Sequence, residues 1–328
     1  MSDFRSNLCE GRVALVTGGG TGIGRGIAQA LGQHGAKICI ASRREDVLEA
    51  ATKELEEAGI EAMWVPCDIR EPDQVEAVVD AIISACTKKT RLIVLDQITS
   101  PTALRFPVAE IVAEAKALNI EVLVDGAHAP GMLDRPAAEG DPAGWTGNLH
   151  KWPCAIRGCA VLCVRADFVD RIKPPVISHH LNESFAAEFD WQGTFDPTPW
   201  LLAGEAIRFM DRFGGWDLVR DRNHALATRM QEMLCHRFGV EAISPLDGSM
   251  LGCMATIPFP DRLQPGEDGP PPEVMQAELL VKHRVEVPVM DFAGRRHLRV
   301  SCHVYNDSDD YEKLADAMDA ARCAMDCA

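Results

Sequence analysis

Three glycines near the start of the chain have the spacing of a phosphate-binding turn. Gly18, Gly22 and Gly24 lie in VTGGGTGIGRG, after an apolar run and before a stretch with helical periodicity. Such a turn presents backbone N–H groups and the positive end of a helix to a phosphate. Arg43 closes the next apolar run, where an acidic residue would bind a ribose hydroxyl; an arginine there favours the extra phosphate of NADP. The first motif therefore predicts a dinucleotide ligand.

A second set of reactive residue types follows later in the chain. Asp125 and His128 lie in VDGAHAPG, His150 and Lys151 lie in TGNLHKW, and Arg299 lies in HLRVSCHVYND. Each has an ordinary structural alternative: a carboxylate that caps a turn, histidines with satisfied hydrogen bonds, a surface lysine, or an arginine in a salt bridge. Taken singly, the structural alternative is favoured for every one of them. Only their combination and order indicate a site.

Strand and helix patterns alternate along the first part of the chain that must position these residues. The runs RVALVTG, AKICIASR, EAMWVPCD, RLIVLD, IEVLVD and CAVLCV are predicted to be buried strands. The first helix is predicted to bury a face formed by Ile23, Ile27, Ala30 and Leu31. This alternation predicts an α/β fold with a mainly parallel sheet and helices on both faces.

From about Pro199 the pattern changes to that of a small α+β domain. Two helical segments precede the run MLGCMATIPF, a Pro/Gly-rich linker, a further helix and the run HLRVSCHVY. We therefore predict three units. Residues 1–85 form a Rossmann-like dinucleotide-binding half, residues 86–200 complete a large α/β domain, and residues 201–328 form the small C-terminal domain.

Composition and charge exclude several classes of partner. The chain has 328 residues, 47% of them hydrophobic, and a formal net charge of −16, which disfavours a nucleic-acid partner. The apolar runs are strand-sized, so no membrane span is expected. Twelve cysteines without framework spacing are typical of reduced thiols and predict a cytoplasmic protein. No Cys/His cluster has zinc spacing, and the pair His179–His180 is interpreted as structural, so no metal site is predicted.

Residues 11 to about 82 resemble the short-chain dehydrogenase/reductase family. The matching pieces are TGGGTGIG, the strand end ASR, and CDI, whose Asp68 takes the family position near the adenine. The catalytic half of that family is missing. The only tyrosines are Tyr305 and Tyr311, and the positions four residues on are Asp309 and Ala315 rather than lysine. A bound dinucleotide would therefore lack the family's Tyr–Lys proton donor.

Residues from about 73 onward resemble the class V aminotransferase fold, in particular its isopenicillin N epimerase-like branch. The matches are LDQITSPTAL, VDGAHAPG, TGNLHKW, VISHH, EFDWQGTFDPTPW and RVSCHVYND. This resemblance covers about three quarters of the chain in several ordered motifs. It implies a large domain of the fold type I found in enzymes that use pyridoxal phosphate.

The resemblance implies a role for each residue of the second set. Lys151 takes the position of the lysine that forms the Schiff base with pyridoxal phosphate and removes the substrate α-proton, and burial would lower its pKa. Asp125 takes the position of the carboxylate beside the ring nitrogen, and Arg299 that of the clamp on a substrate carboxylate. The remaining cofactor contacts implied by the family are His128 at the ring, Thr99 or Ser100 at the ring hydroxyl, Asn148 and His150 at the phosphate, and Thr194 at the phosphate of the neighbouring subunit.

The chain departs from the class V pattern at its front. The phosphate cup and the ring-stacking residue are replaced by the reductase-like half, with a crossover expected in DIREPDQVEAVVDAIISACTKKTRL. Ala103 stands where the family usually has glycine, and Phe195 where the epimerase-like branch tends to have arginine. We hypothesise that the Gly18–Gly24 turn substitutes for the lost phosphate cup, because a helix N-terminus binds any phosphate.

The predicted function is a pyridoxal-phosphate-dependent enzyme that acts at the α-carbon of a small-molecule amino acid. Epimerisation, transamination and elimination all begin with the same proton abstraction, so the sequence leaves them open. Two alternatives also stay open: an NADP-binding oxidoreductase, and a recombined chain that folds but catalyses nothing. The family usually builds its site across two subunits, which implies a homodimer.

Overall fold

The structure is a computed structural model. It describes residues 5, 7–17, 19–20, 22–42, 45–66, 79–80, 82–84, 86, 90–191, 193–264, 270–292 and 295–326. Three predicted ligand residues, Gly18, Arg43 and Asp68, lie outside the described residues, as does most of the expected crossover.

One seven-stranded sheet contains the strands of both predicted α/β units. Its spatial order is β3-β2-β1-β4-β5-β6-β7, and every neighbouring pair is parallel except β6 and β7. The mainly parallel α/β prediction is thereby confirmed. The elements are β1 Val13–Thr17, α1 Gly22–Gln33, β2 Lys37–Ser42, α2 Glu45–Glu57, β3 Ala62–Pro66, β4 Thr90–Asp96, α3 Val108–Ala117, β5 Glu121–Asp125, β6 Gly144–Asn148 and β7 Ala160–Val164.

The strand order reverses between β1 and β4. From β1 the chain proceeds outward to β2 and β3, and then returns to place β4 on the other side of β1. Val16 pairs with Val94, and Asp96 pairs with Asp125 on the next strand. The carboxyl ends of β1, β4 and β5 therefore lie side by side at one edge of the sheet. Open α/β sheets bind ligands in the crevice at such a reversal.

The C-terminal part contains a separate three-stranded antiparallel sheet of order β8-β10-β9, covered by long helices. Strand β9, helix α8 and strand β6 of the large sheet were not predicted. The elements are α4 Phe185–Asp190, α5 Thr198–Phe209, α6 Trp216–Phe238, β8 Met254–Pro258, α7 Pro272–His283, β9 Val289–Phe292, β10 Arg295–Ser301 and α8 Ser308–Asp326.

Buried apolar residues form three main clusters. One packs α1 and α2 on the first strands, one lies around β4 and β5, and one fills the C-terminal part. Fully buried residues such as Ile40, Ile93 and Phe259 anchor them, and each such side chain contributes about 1.5–3 kcal/mol relative to exposure. The division at residues 85 and 200 stays a prediction.

The predicted buried face of α1 was partly wrong. Ile27 is 37% exposed and Ala30 is exposed, whereas Ala28 is fully buried. Gly32 lies so close to Ile60 that a β-carbon there would come within 2.4 Å of the isoleucine Cγ2. The helix therefore packs through its small residues, which allow a close approach that the spacing of large apolar residues did not indicate. No helix in the described residues is long and apolar enough to cross a membrane.

Candidate active site

Two carboxylates mark the carboxyl edge of the central strands. Asp96 ends β4 and Asp125 ends β5, and the two are register partners. The backbone N–H of Gln97 donates to the carbonyl oxygen of Asp125 at 2.9 Å, so the pairing continues past the strand ends. The Asp125 carboxylate also accepts a 2.9 Å hydrogen bond from the backbone N–H of Ala127. These contacts fix the two strand ends and the Asp125 carboxylate.

The turn after Asp125 closes tightly over the indole of Trp145. A β-carbon on Gly126 would lie 2.3 Å from the indole nitrogen of that residue, so glycine is required there. The indole N–H donates to Oε1 of Gln97 at 2.9 Å, and Nε2 of Gln97 donates to Glu139 at 2.7 Å. This buried network holds the end of β4 against the end of β5 and stiffens the floor of the site.

Lys151 and His128 contact each other next to these strand ends. The Lys151 Nζ lies 3.1 Å from Nε2 of His128, and the indole N–H of Trp152 donates to Nδ1 of His128 at 3.5 Å. Burial, followed by the charges of Lys151 and Arg299, lowers the pKa of His128 to about 3. A neutral imidazole whose Nδ1 accepts must carry its proton on Nε2. Nε2 therefore carries the proton and donates toward the Lys151 amine.

The electrostatic environment of Lys151 agrees with that hydrogen-bond assignment. Burial lowers its pKa below the ordinary lysine value, and the charge of Arg299 acts in the same direction. The carboxylates of Asp125 and Asp96 oppose this shift, so both lie within electrostatic reach of the amine. A half-buried lysine with a lowered pKa is the form that acts as nucleophile or base near neutral pH.

Arg299 extends from β10 to within electrostatic reach of Lys151. Its Nη1 donates to the carbonyl oxygen of Ser100 at 2.6 Å and to the Ser100 hydroxyl at 2.9 Å. Its buried Nε has no hydrogen-bond partner among the described residues, and burial lowers its pKa. An orphaned donor on a guanidinium is a point where a carboxylate ligand would bind.

The loop that carries Ser100 is held by its own hydroxyl contacts. The Thr99 and Thr102 hydroxyls are 2.5 Å apart, and Thr99 also accepts from the backbone N–H of Leu104 at 2.9 Å. Ala103 adopts φ 56°, in the left-handed region that glycine favours. The departure from glycine at this position therefore leaves backbone strain of about 1–2 kcal/mol.

The other predicted contacts are not brought to the lysine by any hydrogen bond among the described residues. His150 Nδ1 donates to the carbonyl oxygen of Cys159 at 3.0 Å. Asn148 is the last residue of β6. Thr194 is exposed, next to Phe195, which packs edge-on against Trp200. Gly22 and Gly24 begin α1 directly after β1, at the strand reversal.

Two residues of the site were missed from the sequence. Asp96 ends β4 as Asp125 ends β5, and burial together with the Asp125 charge raises its pKa to about 7. Its position at the end of an apolar run was a usable signal. Trp152 sets the tautomer of His128, but only folding brings that indole to the ring, so no sequence signal marked it.

Comparison with known proteins confirms the composite resemblance. A family model described as short chain dehydrogenase matches residues 12–132. A peroxisomal 2,4-dienoyl-CoA reductase of Arabidopsis thaliana is 42% identical over 80 residues, 24% of this chain and 27% of that protein. The family-model match extends beyond residue 82, where the sequence resemblance was expected to end. Both parent folds continue as parallel α/β layers, which accounts for that extension.

Most of the chain is similar to a different group of proteins. A putative L-cysteine desulfhydrase 1 of Oryza sativa subsp. japonica is 31% identical over 72% of this chain and 53% of its own length. An isopenicillin N epimerase of Amycolatopsis lactamdurans is 30% identical over 75% and 63%. The chain thus spans between about half and two thirds of these relatives. The cysteine desulfurase of Thermococcus onnurineus NA1 has the same fold, with TM-score 0.64 and 17% identity over 88% of this chain and 73% of that chain.

Proposed function

We propose that this chain is a pyridoxal-phosphate-dependent enzyme that acts at the α-carbon of a small amino acid. The observation that carries the proposal is the position of the Lys151 amine, which has a lowered pKa and lies 3.1 Å from His128 and within electrostatic reach of Asp125. Similarity to a cysteine desulfhydrase and an isopenicillin N epimerase supports an amino-acid substrate.

The donor set fits this cofactor at its ring end. An amine with a lowered pKa, a fixed carboxylate, a neutral imidazole and an orphaned guanidinium N–H meet at one sheet edge. When bound, pyridoxal phosphate supplies an electron-accepting ring that stabilises negative charge at the substrate α-carbon. Asp125 would keep the ring nitrogen protonated.

The chain's own groups perform the remaining steps. Lys151 would hold the cofactor through Nζ and, once the substrate amine has displaced it there, would be placed to accept the α-proton at the same atom. His128 orients the amine by donating from Nε2, and Arg299 binds the substrate carboxylate through its free N–H groups. The ring-hydroxyl contact of Thr99 or Ser100 is proposed on the same basis.

The phosphate is proposed to bind where α1 begins. Gly22 and Gly24 are in the first turn of α1, which follows β1 at the strand reversal beside Asp96. Because neighbouring strands are about 4.8 Å apart, that turn lies roughly 10 Å from Asp125 along the sheet edge. His150 and Asn148 near Lys151, and Thr194 from a second subunit, stay proposed phosphate contacts.

Absorbance spectroscopy tests the cofactor proposal. Adding pyridoxal phosphate to the purified chain is expected to produce a visible band characteristic of lysine-bound cofactor, and Lys151→Ala is expected to abolish it. Lys282→Ala is the matched control, because that lysine is exposed and paired with Glu278 on α7. A band that persists in Lys151→Ala, or no band in the unaltered chain, contradicts the proposal.

NADP binding is the second candidate. It is favoured by the short chain dehydrogenase match over residues 12–132 and by the glycine-rich start of α1. Nicotinamide fluorescence on titration with NADPH tests it. Gly24→Val is expected to weaken the binding of NADPH. It should also weaken the binding of pyridoxal phosphate if the turn holds the phosphate of that cofactor. Unchanged affinity for pyridoxal phosphate would refute the phosphate assignment alone.

A homodimer is proposed from one apolar face. Phe195, Trp200 and Leu201 are all at least 44% exposed. A cavity of about 1010 Å³ on the same face is lined by Phe185, Phe189 and Trp200 among others. Exposed apolar patches of this extent mark interaction surfaces, and a second copy would place its Thr194 against the first. We also propose a cytoplasmic location.

A further inference from the structure

Asp96, at the centre of the candidate site, has a carboxyl group with no hydrogen-bond partner among the described residues. It ends β4, the strand between the glycine turn and Asp125. No described residue donates a hydrogen bond to its side chain. The backbone contact of Gln97 with Asp125 holds the two strand ends together, so the carboxyl groups cannot separate freely.

Two ionisable groups among the described residues act on Asp96. Asp125 lies on β5 beside it, and Lys151 lies in the segment after β6 within electrostatic reach. Two further groups act on the lysine: neutral His128 from the turn after β5 and cationic Arg299 from β10. The side chain of Asp96 therefore sits between an anion and an amine.

We propose that Asp96 is a positioning residue that holds a proton beside Asp125 and, by releasing it, controls the charge on Lys151. Two neighbouring carboxyl groups do not both ionise readily, so one of them retains a proton. The Asp125 carboxylate already accepts a hydrogen bond from the backbone N–H of Ala127. Asp96 has no such donor and is the one that keeps the proton. The inference rests on the proposed function only in taking Lys151 as the working amine.

The direction of the coupling follows from the charges. The pKa of Asp96 is raised to about 7, so the group is neutral in weak acid and ionised above neutrality. Ionised Asp96 attracts a proton to Lys151 and raises the lysine pKa, against the effects of burial and Arg299. The proton of Asp96 therefore keeps the amine free at a pH where an ionised carboxylate would help to protonate it.

Competitive labelling with acetic anhydride tests this on the full cofactor-free chain. Peptide mass spectrometry follows acetylation of Lys151 against pH. Asp96→Asn is expected to move the Lys151 midpoint to lower pH by about one unit and to remove any inflection near pH 7. Asp96→Glu should retain the inflection, and Asp141→Asn, at an exposed surface pair with Lys116, should change neither. An unchanged midpoint in folded Asp96→Asn overturns the proposal.

A measurement on the unaltered chain covers the case in which Asp96→Asn does not fold. Carbon-13 NMR of protein labelled at aspartate carboxyl groups is expected to contain one resonance with a midpoint near pH 7. Its absence overturns the inference. Neither experiment uses pyridoxal phosphate. A missing visible band would therefore refute the cofactor proposal while leaving the Asp96 result to be judged by itself.

Discussion

At the scale of single residues, one histidine tautomer determines how Lys151 behaves. The Trp152 indole can only donate, so Nδ1 of His128 must accept and its Nε2 must carry the proton. The proton on Nε2 then faces the Lys151 amine, and this arrangement is set by a side chain that need not contact the reacting atoms.

Replacing that indole is expected to reverse the assignment. In Trp152→Phe the Nδ1 atom of His128 is free to carry the proton, and Nε2 can then accept from a lysine ammonium. The pKa of Lys151 should rise, and its acetylation midpoint should move to higher pH. Trp216→Phe is the matched control, because that indole donates only to the backbone of Ile207. A Lys151 midpoint that falls or does not move would refute the tautomer argument.

At the scale of elements, two helices end at a residue in the left-handed conformation, an arginine in one helix and a glycine in the other. Arg284 caps α7 with φ 57°, and Gly239 caps α6 with φ 65°. Arg284 is exposed, and a β-carbon on Gly239 would meet nothing within 4 Å. The difference between the two positions is therefore a difference in backbone strain alone.

Exchanging these caps should change stability in opposite directions. Arg284→Gly is expected to raise the free energy of unfolding by about 1 kcal/mol, and Gly239→Ala to lower it by a similar amount. Denaturant unfolding followed by circular dichroism measures both. Equal signs for the two variants would contradict the strain argument.

The same scale explains how much the sequence could predict. Strands β1 to β5 were predictable because they are uninterrupted apolar runs. Strand β6, GWTGN, was missed since its Gly147 makes room for Trp145 and its Gly144 for Leu123, a requirement visible only after folding. The cluster of Asp125, His128 and Lys151 followed from family order. Asp96 could be identified as a neighbour of Asp125 only from the strand order, because the pairing of β4 with β5 brings the two residues together.

At the scale of the whole molecule, the sheet places both candidate ligand motifs on one edge. The start of α1 and the residues around Lys151 are separated by strands of a single sheet, with the reversal between them. Ligands at the two motifs would therefore share one crevice. The proposed dimer rests on a separate feature, the exposed apolar face.

A charge on that face should prevent association. Leu201 is 74% exposed, and Leu201→Asp is expected to shift the chain to monomer in sedimentation velocity runs, because an aspartate cannot be buried unpaired in an apolar interface. Val281→Asp is the matched control, since Val281 on α7 is 75% exposed and lies away from the face. Dimer retained in Leu201→Asp, or monomer in the unaltered chain, would refute the proposal.

The direct pairing of β1 with β4 joins the reductase-like part of the sheet to the part that resembles the class V fold. If the reductase-like front were cut away, β4 would present a bare row of amide and carbonyl groups, an open template for adhesion to other chains. The reductase-like front thus covers the edge of β4, a strand in the part of the chain that resembles the class V fold.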